Sequence, residues 1–321
     1  MKFMKVIIKL IIIILIFFKT GNVLSETSIF NVNNIKIDRN LYNKTDVFLN
    51  KVFQEGFLKL TKKILVKKDF TKVSNLSVRE IRELVSHYEI IEPRKNSEKE
   101  IISNVFFDRN AINSFFLKRN ISYSDLSSLE LTIFPLYIRN ENMNFFENNY
   151  FYKNWKTSDE QIEFVLPVES IELIENVKNF YKLGTSSIDD IFKEYNEKNN
   201  LLIILDVSSD KVKVLLKGKV NNKPIIKNIS YNLVMSETME SYENLINLIN
   251  DEIIEIYKSQ NMIDLQTPSF LNFHLDIKEV NDVFRLNNFT ESIDIIESFN
   301  VREITNDYAK IKIKFYGKID K

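Results

Sequence analysis

The spacing of apolar residues changes period several times along the chain, and each change marks an element. In SIFNVNNIKI, Phe30 and Val32 alternate with polar neighbours, the alternation stumbles at the asparagines, and it resumes at Ile35 and Ile37. Period two marks a half-buried strand, and the stumble predicts a bulge. From Asp46 the period lengthens: Leu49, Val52, Phe53, Phe57, Leu60 and Ile64 recur at three- and four-residue steps, which draws one apolar stripe down a helix. A shorter helix opens at SVRE, where Ser77 and Glu80 have capping-box spacing. HYEIIE and EIISNVFFD read as a hairpin around PRKNSEK. FFDRNAINSFFLKRN then turns strand into helix, with Asp108 or Asn110 available to the first-turn amides and Ile112, Phe115 and Phe116 turned inward. LELTIFPLYI is strand again, ended or edged by Pro135.

Further on, NMNFFENNYFYKNWK reads as helix, QIEFVLP as strand, and SSIDDIFKEYNEKN as a helix capped by Ser186 or Ser187. NLLIILDV, KVKVLLKGKV and PIIKNISYNL form a meander with turns at SSD and NNK. A long helix from about Thr238 to Tyr257 carries the stripe Tyr242, Leu245, Ile246, Ile249, Ile253, Ile256 and Tyr257. The chain closes with the strand FLNFHLDI, a helical stretch containing Phe284, Phe289, Ile293 and Ile296, and the strands VREIT and YAKIKIKFYG joined through Asn306-Asp307. This order predicts an α+β protein: tandem small modules of mixed or antiparallel sheet with helices packed on one side. The modules fall at 26–140, at 141–260 with the three-stranded meander and the long helix, and at 261–321 as β-α-β-β.

The first residues follow a different rule. Lys2, Lys5 and Lys9 precede an apolar run from Leu10 to Phe18 that closes at Lys19. Charge followed by a short apolar core is the order of a secretory signal, and the run falls short of the roughly 20 residues a spanning helix needs. Val23 and Ser25 place small side chains two apart, so cleavage is expected after Ser25, leaving Glu26 as the first residue of the mature chain and 1–25 as the signal peptide. The expected location is the periplasm, with contact to the membrane only in transit through that signal; the alternative is an uncleaved anchor in the inner membrane with the body facing the periplasm.

Composition narrows the chemistry. There is no cysteine, so disulfides, thiolate metal sites and a cysteine nucleophile are excluded. The formal charge is zero over the whole chain, and loss of the four lysines of the signal would leave the remainder about four units acidic. That argues against a nucleic-acid binder, whose affinity comes largely from a basic face.

Several stretches together resemble a family of uncharacterised exported bacterial proteins, domain of unknown function two thousand and sixty-six. They are VSHYEIIEPRKNSEKEIISNVFFDRNAINSFFL, FVLPVES, the helix followed by LLIILDV, and HLDIKEVNDVF through FNVREI to a strand ending in Gly317. The chain departs from the family where a tryptophan and an Arg-Pro pair are usual: here stand Tyr123, Ser127 and Ser128, and Glu169 replaces an aspartate. The resemblance implies a periplasmic setting in a Gram-negative cell and no particular activity. The middle helix and meander also look like the amino-terminal interaction domain of the Tol-system propeller protein, at the level of fold.

Linear motifs for catalysis are missing. The two histidines, His87 near the end of a helix and His274 on a strand facing away from Phe273 and Leu275, have no ligand spacing. There is no GxSxG, no SxxK followed by its usual partners and no glycine-rich phosphate loop, since five scattered glycines cannot build one. Asp189-Asp190 reads as a favourable charge at a helix N-terminus, and Asp251-Glu252 as a solvated face. In FFENNYFYKNW, helical packing takes Phe146, Tyr150 and Phe151 inward and leaves Tyr152 and Trp155 as candidates for binding a partner. The basic run KLTKKILVKKDFTK reads as a solvated helix face, with anionic headgroups or an acidic partner as the functional alternative. The expected function is a non-enzymatic envelope interaction or assembly factor without cofactor or metal, binding an envelope protein or glycan. The alternative is a periplasmic hydrolase or small-molecule binder with an inter-module pocket.

Overall fold

The structure is a computed structural model, and it describes residues 28–91, 99–125, 128–155, 162–195, 198–208, 211–233, 236, 238–279, 281–291, 293 and 295–317. The signal segment with Val23, Ser25 and Glu26 lies outside the described residues, as does most of PRKNSEK. In chain order the elements are β1 (Asn31–Asp38), α1 (Thr45–Ile64), α2 (Lys67–Phe70), α3 (Val78–Arg82), β2 (Val85–Ile91), β3 (Glu100–Phe107), α4 (Arg109–Lys118), β4 (Tyr123–Ser124), β5 (Leu129–Arg139) and β6 (Asn142–Asn144). They continue with α5 (Tyr150–Asn154), β7 (Ile162–Val165), α6 (Ile171–Lys178), α7 (Ile188–Ile191), β8 (Asn200–Val207), β9 (Val212–Val220), β10 (Lys223–Tyr231), α8 (Met239–Gln260) and β11 (Met262–Ile263). The last are β12 (Ser269–Asp276), α9 (Asp282–Glu291), β13 (Ile296–Ile304) and β14 (Tyr308–Phe315). The fold is α+β, with several small antiparallel or mixed sheets.

The chain divides into two compact units. The first takes the residues up to Gly56, Val78–Ser114 and Thr267 onward; the second takes Phe57–Ser77 and Phe115–Gln266. These units cut across the consecutive stretches 26–140, 141–260 and 261–321, because their strands associate without regard to order in the chain.

In the first unit β3 lies between β1 and β2, antiparallel to both. The register of β1 slips between Val32 and Ile35, where Asn34 takes a φ of 57°, so the bulge sits at the asparagines as their pattern requires. Ile35, Ile37, Ile101 and Val105 are buried. A Cβ at Gly56 of α1 would stand 3.1 Å from Ile35 Cδ1 and 3.3 Å from Val105 Cβ, so the missing side chain lets this helix approach the sheet closely. In α4, Asp108 accepts from the Ala111 N–H at 2.7 Å, and Ile112 and Phe116 are fully buried. The remaining strands of this unit form a sheet in the order β12-β14-β13, with Ala309, Ile311, Ile313 and Phe315 packed against Val283 and Leu286 of α9. Phe284 and Phe289 do not belong to that core. They are 65% and 59% exposed, because α9 ends at Glu291 and turns 283, 286 and 290 inward, while Ile296 opens the next strand.

The second unit is built on a six-stranded sheet, β10-β9-β8-β5-β6, with β7 also on β5. Strands β8, β9 and β10 are the antiparallel meander, closed at one end by Asn221 and Asn222, both with positive φ as a tight hairpin turn demands. Strand β5 runs parallel to β8 and to β7. One face buries Leu131, Ile133, Leu201, Ile203, Val214 and Leu216 with the stripe Leu245, Ile246, Ile249, Ile253 and Tyr257 of α8. The other face buries Phe134, Leu136, Leu202 and Ile204 with Leu173 and Val177 of α6 and Ile191 of α7. Helices thus cover this sheet on both sides, which is why LELTIFPLYI and NLLIILDV are nearly continuous apolar runs.

Pro135 neither ends nor edges β5. It sits inside the strand, opposite Ile203 of β8. On the other side β7 pairs with 129–132 and β6 with 137–139, leaving a gap at the proline. The absent N–H falls at that gap, and Asn149 fills it by donating its side-chain amide to the Pro135 carbonyl at 2.7 Å. The same asparagine caps α5, its Oδ1 accepting from the N–H groups of Phe151 and Tyr152. NMNFFENNYFYKNWK is consequently a strand, a single 3-10 turn and a five-residue helix. The helix capped by Ser187 is likewise short, four residues with a capping box to Asp190.

Candidate functional site

The aromatic cluster does not form a binding surface at its key positions. Trp155 is 3% exposed, lies in the core under α8 and donates its indole N–H to Asn250 Oδ1 at 3.1 Å. Buried on this scale, its ring offers no face to a partner. Tyr152 is half-buried against Phe134 and Phe146 and donates its hydroxyl to the Pro167 carbonyl at 2.6 Å. Phe146 and Phe151 are core residues and Tyr150 is half-buried, although the three do not share one helix, Phe146 standing on the 3-10 turn before α5. His87 stands on strand β2 rather than near a helix end, exposed and stacked on Phe106 with ring centroids 4.2 Å apart. His274 points away from the core on β12, stacked on Tyr308. Among the described residues no group of three or more His, Asp or Glu could hold a metal ion.

The paired carboxylates are engaged in structure. Asp190 accepts from the backbone and hydroxyl of Ser187, which hold its carboxyl below the usual range, and Asp189 pairs with Lys219 at 2.6 Å. Glu252 is not part of a simple solvated face. Its two oxygens take Lys67 at 3.2 Å and Lys227 at 2.6 Å. Burial pushes this carboxyl up, but the two ammonium partners outweigh it, and the net displacement is downward.

Lys67 also lines a cavity of about 550 Å³ in the second unit. It is lined from the end of α1 by Lys59, Lys62 and Lys63, from the bend after it by Leu65, from α2 by Lys67 and Phe70, and from α8 by Asp251, Ile254, Glu255 and Lys258. The local sequence explains the walls. Positions 59, 62 and 63 are one helical stripe, and lysines in a last turn suit the negative end of the helix dipole. Val66, at the start of α2, has no side-chain oxygen for the exposed first-turn amides. Glu255 supplies it from α8, accepting from the Lys67 N–H at 2.9 Å. Lys258, 7% exposed, donates its ammonium to the Lys62 carbonyl at the end of α1. The cavity is therefore held by bonds that consume Glu255 and Lys258, and its lining carries five ammonium groups against two carboxylates.

Read as a solvated face, KLTKKILVKKDFTK gave no hint of a concave surface. The signal available was the stripe 59, 62, 63 followed at once by a helix start at Val66 with no side-chain oxygen of its own, which leaves a first-turn amide for another element or water to satisfy. A second depression, about 150 Å³ between α6 and α7, has Glu172 paired with Lys193 and is smaller than the roughly 300 Å³ at which small-molecule sites begin. Comparison with family models, with curated proteins and with solved structures finds no match.

Proposed function

We propose that the protein is an exported envelope factor that binds its ligand without converting it, and that the lysine-lined cavity is its recognition site for an anionic envelope component. The observation that carries this reading is the lining. Lysine side chains and two carboxylates surround apolar ground at Leu65, Phe70 and Ile254, with Glu255 tied to a backbone amide. Such a set attracts and orients negative charge. It supplies neither an activated nucleophile nor a pair of converging acids. The export half of the reading rests on the N-terminal charge pattern and on the resemblance to an exported family. Among the described residues no helix is long and apolar enough to cross a membrane.

Two measurements test it. Cell fractionation with N-terminal sequencing should recover a chain beginning at Glu26 from the periplasm; a full-length chain dissolved in the cytosol overturns the location. Gentle retention of envelope extract on the immobilised protein should enrich an acidic component that the K59E/K62E variant, folded by circular dichroism, does not retain. Equal enrichment by both proteins removes the cavity from the reading.

A further inference from the structure

Building on the cavity as an anion site, we propose that its ligand is the phosphate-bearing head of an anionic amphiphile. The phosphoryl group would lie among Lys59, Lys62 and Lys63, and the adjoining apolar part against Leu65, Phe70 and Ile254. Three features of the geometry select this class. The lysines at 59, 62 and 63 come from one helical face, and ammonium groups act as mobile point charges that surround a phosphoryl group from several sides. Lys62 is exposed and enters no ion pair among the described residues. Lys67 is paired with Glu252 and Lys258 with the Lys62 carbonyl, yet the lining still holds more ammonium groups than carboxylates, so its local charge is positive.

The apolar share of the lining separates an amphiphile from a bare anion. Leu65 is 2% exposed and forms part of the floor, and Phe70 and Ile254 are half-buried at the same cavity. A free phosphate would leave that ground wet and gain nothing from it, whereas a glycerol or acyl segment next to the phosphate would cover it. At about 550 Å³ the space lies within the range of small-molecule sites and admits a headgroup with the first part of its chains. Glu255 is engaged by the Lys67 N–H, while Asp251, exposed in the lining, disfavours ligands carrying further negative charge beside the phosphate.

The test uses the mature chain with three probes: dihexanoyl phosphatidylglycerol below its micelle concentration, dihexanoyl phosphatidylcholine at the same concentration, and inorganic phosphate, each titrated by calorimetry. The proposal expects the phosphatidylglycerol to bind at least about tenfold more tightly than either of the others, and K59E/K62E/K63E to lose about tenfold or more of that affinity. Ile254→Ser should weaken the phosphatidylglycerol while leaving inorganic phosphate unchanged, which separates the apolar floor from the charges. A control, K36E/K213E, places reversed charge away from the cavity and should have no effect. If inorganic phosphate binds as well as the amphiphile, the cavity remains an anion site and the amphiphile inference is overturned. If no probe binds, or if the control loses as much as the cavity variant, both the inference and the reading beneath it fail.

Discussion

Two apolar sheet faces in this protein meet different fates. On the large sheet the side chains under α8 are sealed: Leu201, Ile203, Leu205 and Leu216 have no exposed surface at all. On the sheet β12-β14-β13, residues of the same type on the helix-bearing face remain open. Leu271 and Val301, which register with the buried Ile313 and Ile311, are 41% and 43% exposed, and Ile304, opposite Ala309, is 62% exposed. The alternation that makes the strands is equally good in both. Cover makes the difference: α8 has 22 residues and α9 has 10, lengths of about 33 Å and 15 Å. A strand pattern therefore specifies which side faces inward, while the length of the partner helix decides whether that side becomes dry.

The contrast is broken most directly by truncating matched positions. Ile249→Ala, under the fully sealed face, should cost about 4 kcal/mol, and Val301→Ala about 0.5 kcal/mol or less, both read from urea denaturation. Comparable losses at the two sites would show that the open face is closed in solution. Gly218→Ala comes next. A Cβ there would stand 2.0 Å from the Asn200 carbonyl oxygen, so β8 and β9 must part, at a cost of about 3 kcal/mol by the same measurement. Asn149→Ala removes both the cap of α5 and the donor in the Pro135 gap, and should cost about 2 kcal/mol.

The smallest effect is one of pH. Glu252 is depressed in the folded protein below its ordinary 4.5, burial being outweighed by Lys227 and Lys67. Its contribution is complete above about 4.5 and is lost as the pH falls through the lower folded value. Glu252→Gln should accordingly flatten the acid limb of a stability-versus-pH curve below 4.5. Glu303, which Lys310 and Tyr308 depress at an open surface, should leave that limb unchanged when replaced by Gln, because solvent screens the pair.

Most of this architecture was legible where a pattern was long. The 22-residue α8 shows its stripe over six turns, the meander strands are separated by turn residues, and the β1 bulge announces itself in two asparagines. Short elements were less legible, since four or five residues hold little period. The aromatic run from Phe145 to Trp155 looks helical throughout, but the cap at Asn149 and a positive φ at Phe146 divide it. Helix α6 went unread although Ser170 caps it through the Leu173 N–H and Leu173 and Val177 lie four apart, and with it went the cover on the second face of the large sheet. The fate of Tyr152 and Trp155 could not be read from spacing, because it depends on what α8 and Pro167 bring to them. The cavity was hidden for a related reason: the lysines are local, while the carboxylate that shapes the wall arrives from some 190 positions away.

The parallel pairing of β5 with β8 also sets a timetable. Roughly 60 residues separate the two strands, so their meeting requires a long closure, whereas β8, β9 and β10 find one another through turns of a few residues. On a ribosome, LELTIFPLYI emerges well before the neighbour it will lie against. Strands β6 and β7 can reach one edge of it earlier, but until NLLIILDV is synthesised its other edge has no berth, which makes the interval between the two the moment at which a holding chaperone matters most to this chain.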